Sequence, residues 1–302
     1  FVSGAALWQW RQQAKQDAIA AGIATAEVDW LLRECSELDG LALRLESFRQ
    51  APVVQLRRSL AELSGLWQQR VQERMPVQYL VGTAPWRHFS LVVSPAVLIP
   101  RPETELIIDL AAQLAEAYDP HPDSRTANVW ADLGTGSGAI AIGLAEVFPQ
   151  ATIHAVDWSS AAVAIAQLNA QRCGVSDRIQ FHQGSWFEPL AALGISLRGM
   201  VSNPPYIPSA IIGDLQPEVV RHEPHRALDG GDDGLDCIRQ LVAQAPPYLQ
   251  AGGLWLVELM AGQAAAVAAL LRAQGDYDNI QIHRDLAGIE RFVSARRAAP
   301  RL

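Results

Sequence analysis

The chain has 302 residues, 49% of them hydrophobic and 19% charged, and a formal net charge of −8. That is the composition of an ordinary globular protein with room for one large domain or two modest ones, and it lacks the run of about 18 apolar residues that a membrane-spanning helix needs. Residues 1–80 carry nine basic and nine acidic side chains, so the acidic excess falls on the remainder, and neither part resembles a surface built to release counterions from nucleic acid.

The first 80 residues hold helix signals and little else. Leu7, Trp10, Ala14 and Ala18 recur at helical spacing, as do Val28, Leu31, Leu32 and Cys35. Gly22 and Gly40 stand where helix C-caps are expected, and LWQQRVQER (Leu66 to Arg74) stops at Pro76. The expectation is an all-α bundle of four or five helices over 1–80.

From Gln78 the texture changes. WRHFSLVVSPAVLIPRPE alternates and is punctuated by prolines, which predicts a connecting β-hairpin over 81–102. TELIIDLAAQLAEAY then reads as a helix with Leu106, Leu110 and Leu114 on one face and Glu103 in the first turn, where the helix dipole favours an acid. After a polar stretch, His121 to Asn128, the rhythm becomes strand, glycine turn, helix. Strands read as VWADLG, TIHAVD, IQFHQG, GMVSNP and GLWLVEL, and the tail offers two more in antiparallel pairing. This alternation predicts an α/β, doubly wound, Rossmann-like sheet over 103–302, with ligands at the carboxyl ends of its strands.

DLGTGSGAIAIGLA (Asp132 to Ala145) runs from a first strand into a first helix. Gly134, Gly136 and Gly138 let the backbone turn tightly around Thr135 and Ser137 and approach a ligand without a Cβ in the way. About twenty residues on, Asp157 ends the second strand, placed to accept hydrogen bonds from a ribose diol. Gly134, Gly136 and Ala139 also satisfy the dinucleotide pattern, so the loop alone does not choose between a nicotinamide dinucleotide and S-adenosylmethionine. Two details favour the latter. Asp132 would repel a phosphate, and GSWFEP (Gly184 to Pro189) brings Trp186 and Phe187 to the cleft edge, where a purine can stack.

The stretch VSNPPYIP, Val201 to Pro208, closes a strand with an amide, two prolines and an aromatic ring. A planar amide or aryl amine is a poor nucleophile, because its lone pair is delocalised. Two carbonyl acceptors, from the Asn203 side chain and the Pro204 backbone, can hold its N–H hydrogens and turn the nitrogen toward a sulfonium methyl. Pro204 and Pro205 keep those acceptors rigid, and Tyr206 offers a face for a planar group. Neither a metal nor a strong base is needed.

Three widely spaced cysteines, Cys35, Cys173 and Cys237, form neither a disulfide framework nor a zinc knuckle, and the seven histidines include no HExxH. No metal is expected, and a reducing, cytoplasmic compartment is. The opening FVSGAALWQWRQQ shows no secretory signal pattern.

PVQYLVG (Pro76 to Gly82), VLIPRPETE (Val97 to Glu105), DLGTGSGAIAI, AVDWS, NPPYIP, HEPHRAL (His222 to Leu228), GGDDGLD (Gly230 to Asp236) and DLAGIERF (Asp285 to Phe292) together resemble the HemK/PrmC family of protein-(glutamine-N5) methyltransferases. The resemblance implies methyl transfer from S-adenosylmethionine to the glutamine of a Gly-Gly-Gln motif in peptide chain release factors, hence a role in translation termination. It also implies an N-terminal helical domain that grips the release factor, and we expect a monomer that touches neither membrane nor nucleic acid. By position, Gly134, Thr135, Gly136, Ser137 and Gly138 line the methionine moiety, Asp157 holds the ribose and Trp186 sits near the adenine. Asn203 touches both cofactor and substrate, and Pro204, Pro205 and Tyr206 complete the glutamine pocket. Arg101, Glu103 and Thr104 close over the cofactor, while Glu223 and Asp236 are structural supports. Two segments depart from the family pattern, RGMVSN before NPPY and ELMAGQ at Met260. The alternative is a nucleic-acid amino-methyltransferase acting on adenine N6 or cytosine N4, since NPPY is shared with that class. A non-catalytic cofactor-binding scaffold and a dehydrogenase are the more distant readings.

Overall fold

The computed structural model describes residues 1–118 and 128–299, so the polar stretch before Asn128 lies outside the described residues. In chain order the elements are α1 (Gly4–Ala20), α2 (Ala26–Cys35), α3 (Gly40–Leu45), α4 (Leu60–Gln68), α5 (Val77–Val81), β1 (Thr83–Trp86), β2 (Phe89–Val92) and α6 (Leu106–Tyr118). There follow β3 (Val129–Leu133), α7 (Ala139–Val147), β4 (Thr152–Asp157), α8 (Ser160–Arg172), β5 (Ile179–Gln183), β6 (Leu197–Ser202) and α9 (Pro217–His222). The chain ends with α10 (Asp236–Gln244), β7 (Leu249–Glu258), α11 (Ala264–Gln274), β8 (Tyr277–Arg284) and β9 (Glu290–Arg297). They form two compact units, one of Phe1–Thr83 with Gln216–His222, the other of Ala84–Leu215 with Glu223–Leu302.

The first unit is helical. Leu7, Ala14 and Ala18 of α1 and Val28, Leu31, Leu32 and Cys35 of α2 are buried with Leu63 and Trp67 of α4, each large side chain stabilising the fold by about 1.5–3 kcal/mol. Gly22 takes a positive φ of 65° just past α1, as a helix terminator does. Gly40 does not terminate a helix: it opens α3, which Asp39 caps by accepting from the backbone N–H of Ala42. The acid before the glycine, rather than the glycine, carried the signal. After α4 the helix widens into a π turn, Gln69–Glu73, and Arg74 ends it in left-handed conformation. Nothing local in the sequence marks Gln216–His222 as part of this unit. Its anchor is Glu218, whose carboxylate lies 2.8 Å from both Arg70 and Arg74, while Arg70 also grips Glu27.

The second unit begins with the two-stranded hairpin of β1 and β2. Its main sheet has the order β5-β4-β3-β6-β7-β9-β8, parallel throughout except for β9, which runs antiparallel to β7 and β8. Both faces of the central strands β3, β4, β6 and β7 are buried, so these alternate between two cores. Trp130, Ile153, Val201 and Leu256 pack with α6 and α7, and Ala131, Val156, Met200 and Val257 pack with α10 and α11. That two-sided burial explains why these central strands are mostly apolar, whereas the edge strands β5 and β8 are largely polar and more exposed. The buried face of α6 is Ile107, Ile108, Ala111 and Ala115, with Leu106, Leu110 and Leu114 only partly buried against the same core. The leucine stripe expected from the sequence is therefore the margin of the contact face. Among the described residues no helix is long and apolar enough to cross a membrane. The sheet order reverses between β3 and β6, and at such a switch point the crevice beyond the strand ends is the place for a ligand.

Candidate active site

A cavity of about 520 Å³ opens beyond the carboxyl ends of β3, β4, β5 and β6. Gly134, Thr135, Gly136 and Ser137 form one wall, and Asp157, Trp186, Asn203 and Pro205 contribute to others. The wall is fixed from behind. The backbone N–H groups of Gly134 and Thr135 both donate to Val156 O at 2.9 Å. Asn169 of α8 donates to Ser137 O at 2.8 Å and to Val92 O at 2.9 Å.

Asp132 lies beneath the loop and is fully buried. Its Oδ2 accepts from Thr135 Oγ1 at 2.6 Å and from the Ala141 N–H at 2.9 Å, which ties the turn to the first turn of α7. Burial pushes its carboxyl up to about 7, against those two hydrogen bonds. It is a strut under the loop rather than part of the cavity wall. Gly138 also lies off the wall. At φ 84° a Cβ there would stand 3.0 Å from Ala166 Cβ, and its bareness lets the loop close on α8.

Asp157 ends β4 with Oδ2 accepting from Gly136 N at 2.9 Å and Oδ1 from Ser159 N at 2.8 Å. Burial raises its carboxyl pKa, and the two backbone bonds and Arg226 oppose that shift. Each oxygen keeps a lone pair for a further donor. Trp186 holds a φ of 47°, rare for a bulky residue, and this turn lays its indole over Gly134, 3.5 Å from where a Cβ would be. Phe187 does not join it at the edge. It is 1% exposed and stacks on Tyr248 in the core, with ring centroids 4.7 Å apart.

The NPPY corner follows β6 directly. Asn203 and Pro205 reach the cavity, whereas Pro204 is buried and neither it nor Tyr206 is part of the wall. Asn203 Nδ2 donates to Thr104 Oγ1 at 3.2 Å, which leaves Oδ1 as the acceptor end of that amide. Tyr206 is fastened twice, its hydroxyl donating to Glu258 Oε1 at 3.3 Å and its carbonyl accepting from Gln263 Nε2 at 2.9 Å. Burial raises the tyrosine pKa further above its ordinary value, so it stays a neutral phenol. Gly234, at φ 75°, passes so close beneath that a Cβ would meet Tyr206 O at 2.2 Å. The GGDDGLD segment therefore seats the corner.

Arg101 and Thr104 line the cavity and Glu103 does not. Arg101 holds the buried Glu223 with both its oxygens at 2.8 and 2.6 Å, and Asp236 pairs with Arg239 at 2.9 Å. The reading of the sequence missed Trp158 and Arg226. Both line the cavity, and the guanidinium of Arg226 sits 4.2 Å over the half-exposed Trp158 ring. Their signals were adjacency, Trp158 directly after Asp157 and Arg226 inside HEPHRAL. Among the described residues no cluster of side chains could hold a metal ion.

A parallel sheet with a switch point, a glycine loop, an acid ending the next strand and NPPY ending the one beyond the switch define a Rossmann-like methyltransferase. A family model for a methyltransferase domain matches residues 127–196. Among solved structures, the catalytic domain of hMettl16 with a MAT2A 3'UTR hairpin aligns with a TM-score of 0.53 and 13% identity, covering 88% of each chain; this likeness is one of fold. A release factor glutamine methyltransferase of Synechocystis sp. is 55% identical over 98% of both chains. That of Thermosynechococcus vestitus is 47% identical over 98% of this chain and 99% of its own. The chain belongs to the release factor glutamine methyltransferase family.

Proposed function

We propose that the protein transfers a methyl group from S-adenosylmethionine to the side-chain amide nitrogen of the glutamine in the Gly-Gly-Gln motif of peptide chain release factors. The observation that carries the reading is a single cavity lined by the glycine loop, Asp157, Trp186 and Asn203. Its volume suits a nucleoside-sized ligand, and the donor set fits S-adenosylmethionine. Asp157 retains acceptor capacity for a ribose diol, the loop from Gly134 to Ser137 presents bare backbone to the methionine portion, and Trp186 and Trp158 offer ring faces to adenine.

When bound, the cofactor supplies an electrophilic methyl on a sulfonium. The residues of the chain supply position. Asn203 Oδ1 and the Pro204 carbonyl accept the two N–H hydrogens of the glutamine amide and turn its nitrogen toward the methyl. Held there, S-adenosylmethionine would supply the methyl carbon and would leave as its neutral thioether, while the amide nitrogen would give up one proton to water. Pro204 and Pro205 stiffen the corner, and Tyr206, held at hydroxyl and carbonyl, supports the glutamine pocket. The helical unit is assigned to gripping the release factor. The protein acts as a cytoplasmic monomer, without metal.

Mass spectrometry of a release factor after incubation with S-adenosylmethionine is expected to show one added methyl group, on the Gly-Gly-Gln glutamine. An unmodified release factor, with labelled methyl entering DNA or RNA in a parallel reaction, would overturn this reading.

A further inference from the structure

DLAGIERF (Asp285 to Phe292), one of the segments that resemble the family, contributes no residue to the cavity wall. Residues 285–289 form the turn between β8 and β9. Because β7 runs parallel to β6 and β9 antiparallel to β7, this turn stands at the end of the sheet where β3 to β6 stop at the cavity. Hydrogen bonds join it to the NPPY corner. Asp285 Oδ2 accepts from Arg291 Nε at 2.7 Å, and the Arg291 carbonyl accepts from Leu259 N at 2.9 Å. Glu258, the residue before Leu259, takes the Tyr206 hydroxyl at 3.3 Å.

The turn is firmly built. Asp285 Oδ1 accepts from the N–H groups of both Ala287 and Ile289 at 2.9 Å. Main-chain bonds run from Asp285 N to the Ile289 carbonyl at 2.8 Å and from Gly288 N to the Asp285 carbonyl at 2.9 Å. Its charges are matched locally, Arg291 with Asp285 and Arg284 with Glu290 at 3.1 Å. What it presents to water is apolar. Leu286 is 97% exposed, the highest value for a large hydrophobic side chain among the described residues, and Ile289 is exposed as well.

A single exposed leucine is ordinary on a protein surface. Two things set this one apart. The turn is already ordered, so covering it costs little further conformational entropy. It is also joined to the corner to which a protein substrate must bring its glutamine. We propose that the β8–β9 turn is a docking lip for the release factor, with Leu286 and Ile289 seating against an apolar patch that flanks the methylated glutamine. The release factor is the occupant because a surface continuous with the glutamine pocket meets whatever carries the glutamine. The two arginines, each paired with a carboxylate, suit an apolar protein face and not a phosphate backbone. This inference rests on the glutamine-methyltransferase reading and adds to it a contact outside the reacting centre.

Leu286 is so exposed that it can be changed without disturbing the fold. The test compares wild type with L286A, L286D and L286M by calorimetric titration with release factor in the presence of S-adenosylhomocysteine, by steady-state methylation and by thermal melt. Tm and affinity for S-adenosylhomocysteine are expected to match wild type in all three. L286A should weaken release factor binding about 10-fold, and L286D, which would bring a charge into an apolar contact, about 100-fold. L286M, which keeps an apolar side chain of similar volume, should stay within about twofold of wild type. The contact is the same before and during transfer, so the losses should appear in KM for release factor with kcat at saturation unchanged. Wild-type affinity and KM in L286D, beside an active wild type, would overturn the docking claim alone. A wild type inert toward every release factor would overturn the function and the docking claim with it.

Discussion

Replacing Asn203 with alanine is expected to lower kcat for glutamine methylation by about 100- to 1,000-fold, the size of effect seen when one preorganised polar group is taken from a reacting centre. The substrate nitrogen begins as a planar amide, and the energy that makes it a nucleophile must come from groups that hold it in place as it changes shape. In the proposed mechanism Asn203 Oδ1 is such a group, with Thr104 restraining the other end of its amide and two prolines following it. The substitution spares the glycine loop and Asp157, so cofactor affinity should fall by no more than about tenfold, or about 1.4 kcal/mol. It also removes one neutral hydrogen bond, worth about 1 kcal/mol of stability, too little to unfold the domain. Single-turnover kinetics with cofactor saturating, beside a thermal melt, separates these effects. A folded variant with wild-type kcat would show that the corner does not act on the amide.

The second large effect belongs to Asp157. Alanine there should weaken cofactor binding by about 100-fold, as expected from losing two hydrogen bonds from ribose hydroxyls to a charged acceptor. It also orphans the Gly136 and Ser159 N–H groups that the carboxylate now holds, so the glycine loop loosens and Tm falls. Because the ribose is bound alike before and during transfer, the loss should appear in KM for S-adenosylmethionine, with kcat at saturation little changed. Calorimetric titration with S-adenosylhomocysteine measures the affinity directly. Unchanged affinity in a folded variant would remove Asp157 from the cofactor site.

The centre of the sheet was legible because β3, β4, β6 and β7 are buried on both faces, a signal that survives without knowledge of the neighbours. The segments that meet at the cavity were legible in turn, since Gly134, Asp157 and Asn203 all sit where one of these strands stops. Burial was harder to read. Trp186 and Phe187 are adjacent and alike in sequence, yet a left-handed backbone sends one ring over the glycine loop and the other into the core. Asp132 looked like part of the ligand surface because it opens the loop, but its side chain points under the turn to Thr135 and Ala141. Glu258 could not be weighed at all from the chain. Its hydrogen-bond partner, the Tyr206 hydroxyl, comes from a segment 52 residues earlier. Similarly, Gln216–His222 joins the helical unit through Glu218 and two arginines more than a hundred residues earlier, a pairing that periodicity does not encode.

The proposed methyl transfer requires the stiff corner after β6 to present an oxygen, not a nitrogen, to the substrate. A crystal structure of the protein with S-adenosylhomocysteine and a release factor bound tests that most directly. The expected result has the glutamine amide nitrogen about 3 Å from Asn203 Oδ1 and from the Pro204 carbonyl, pointing at the cofactor sulfur. A glutamine amide seated away from Asn203, or facing its Nδ2, would contradict it.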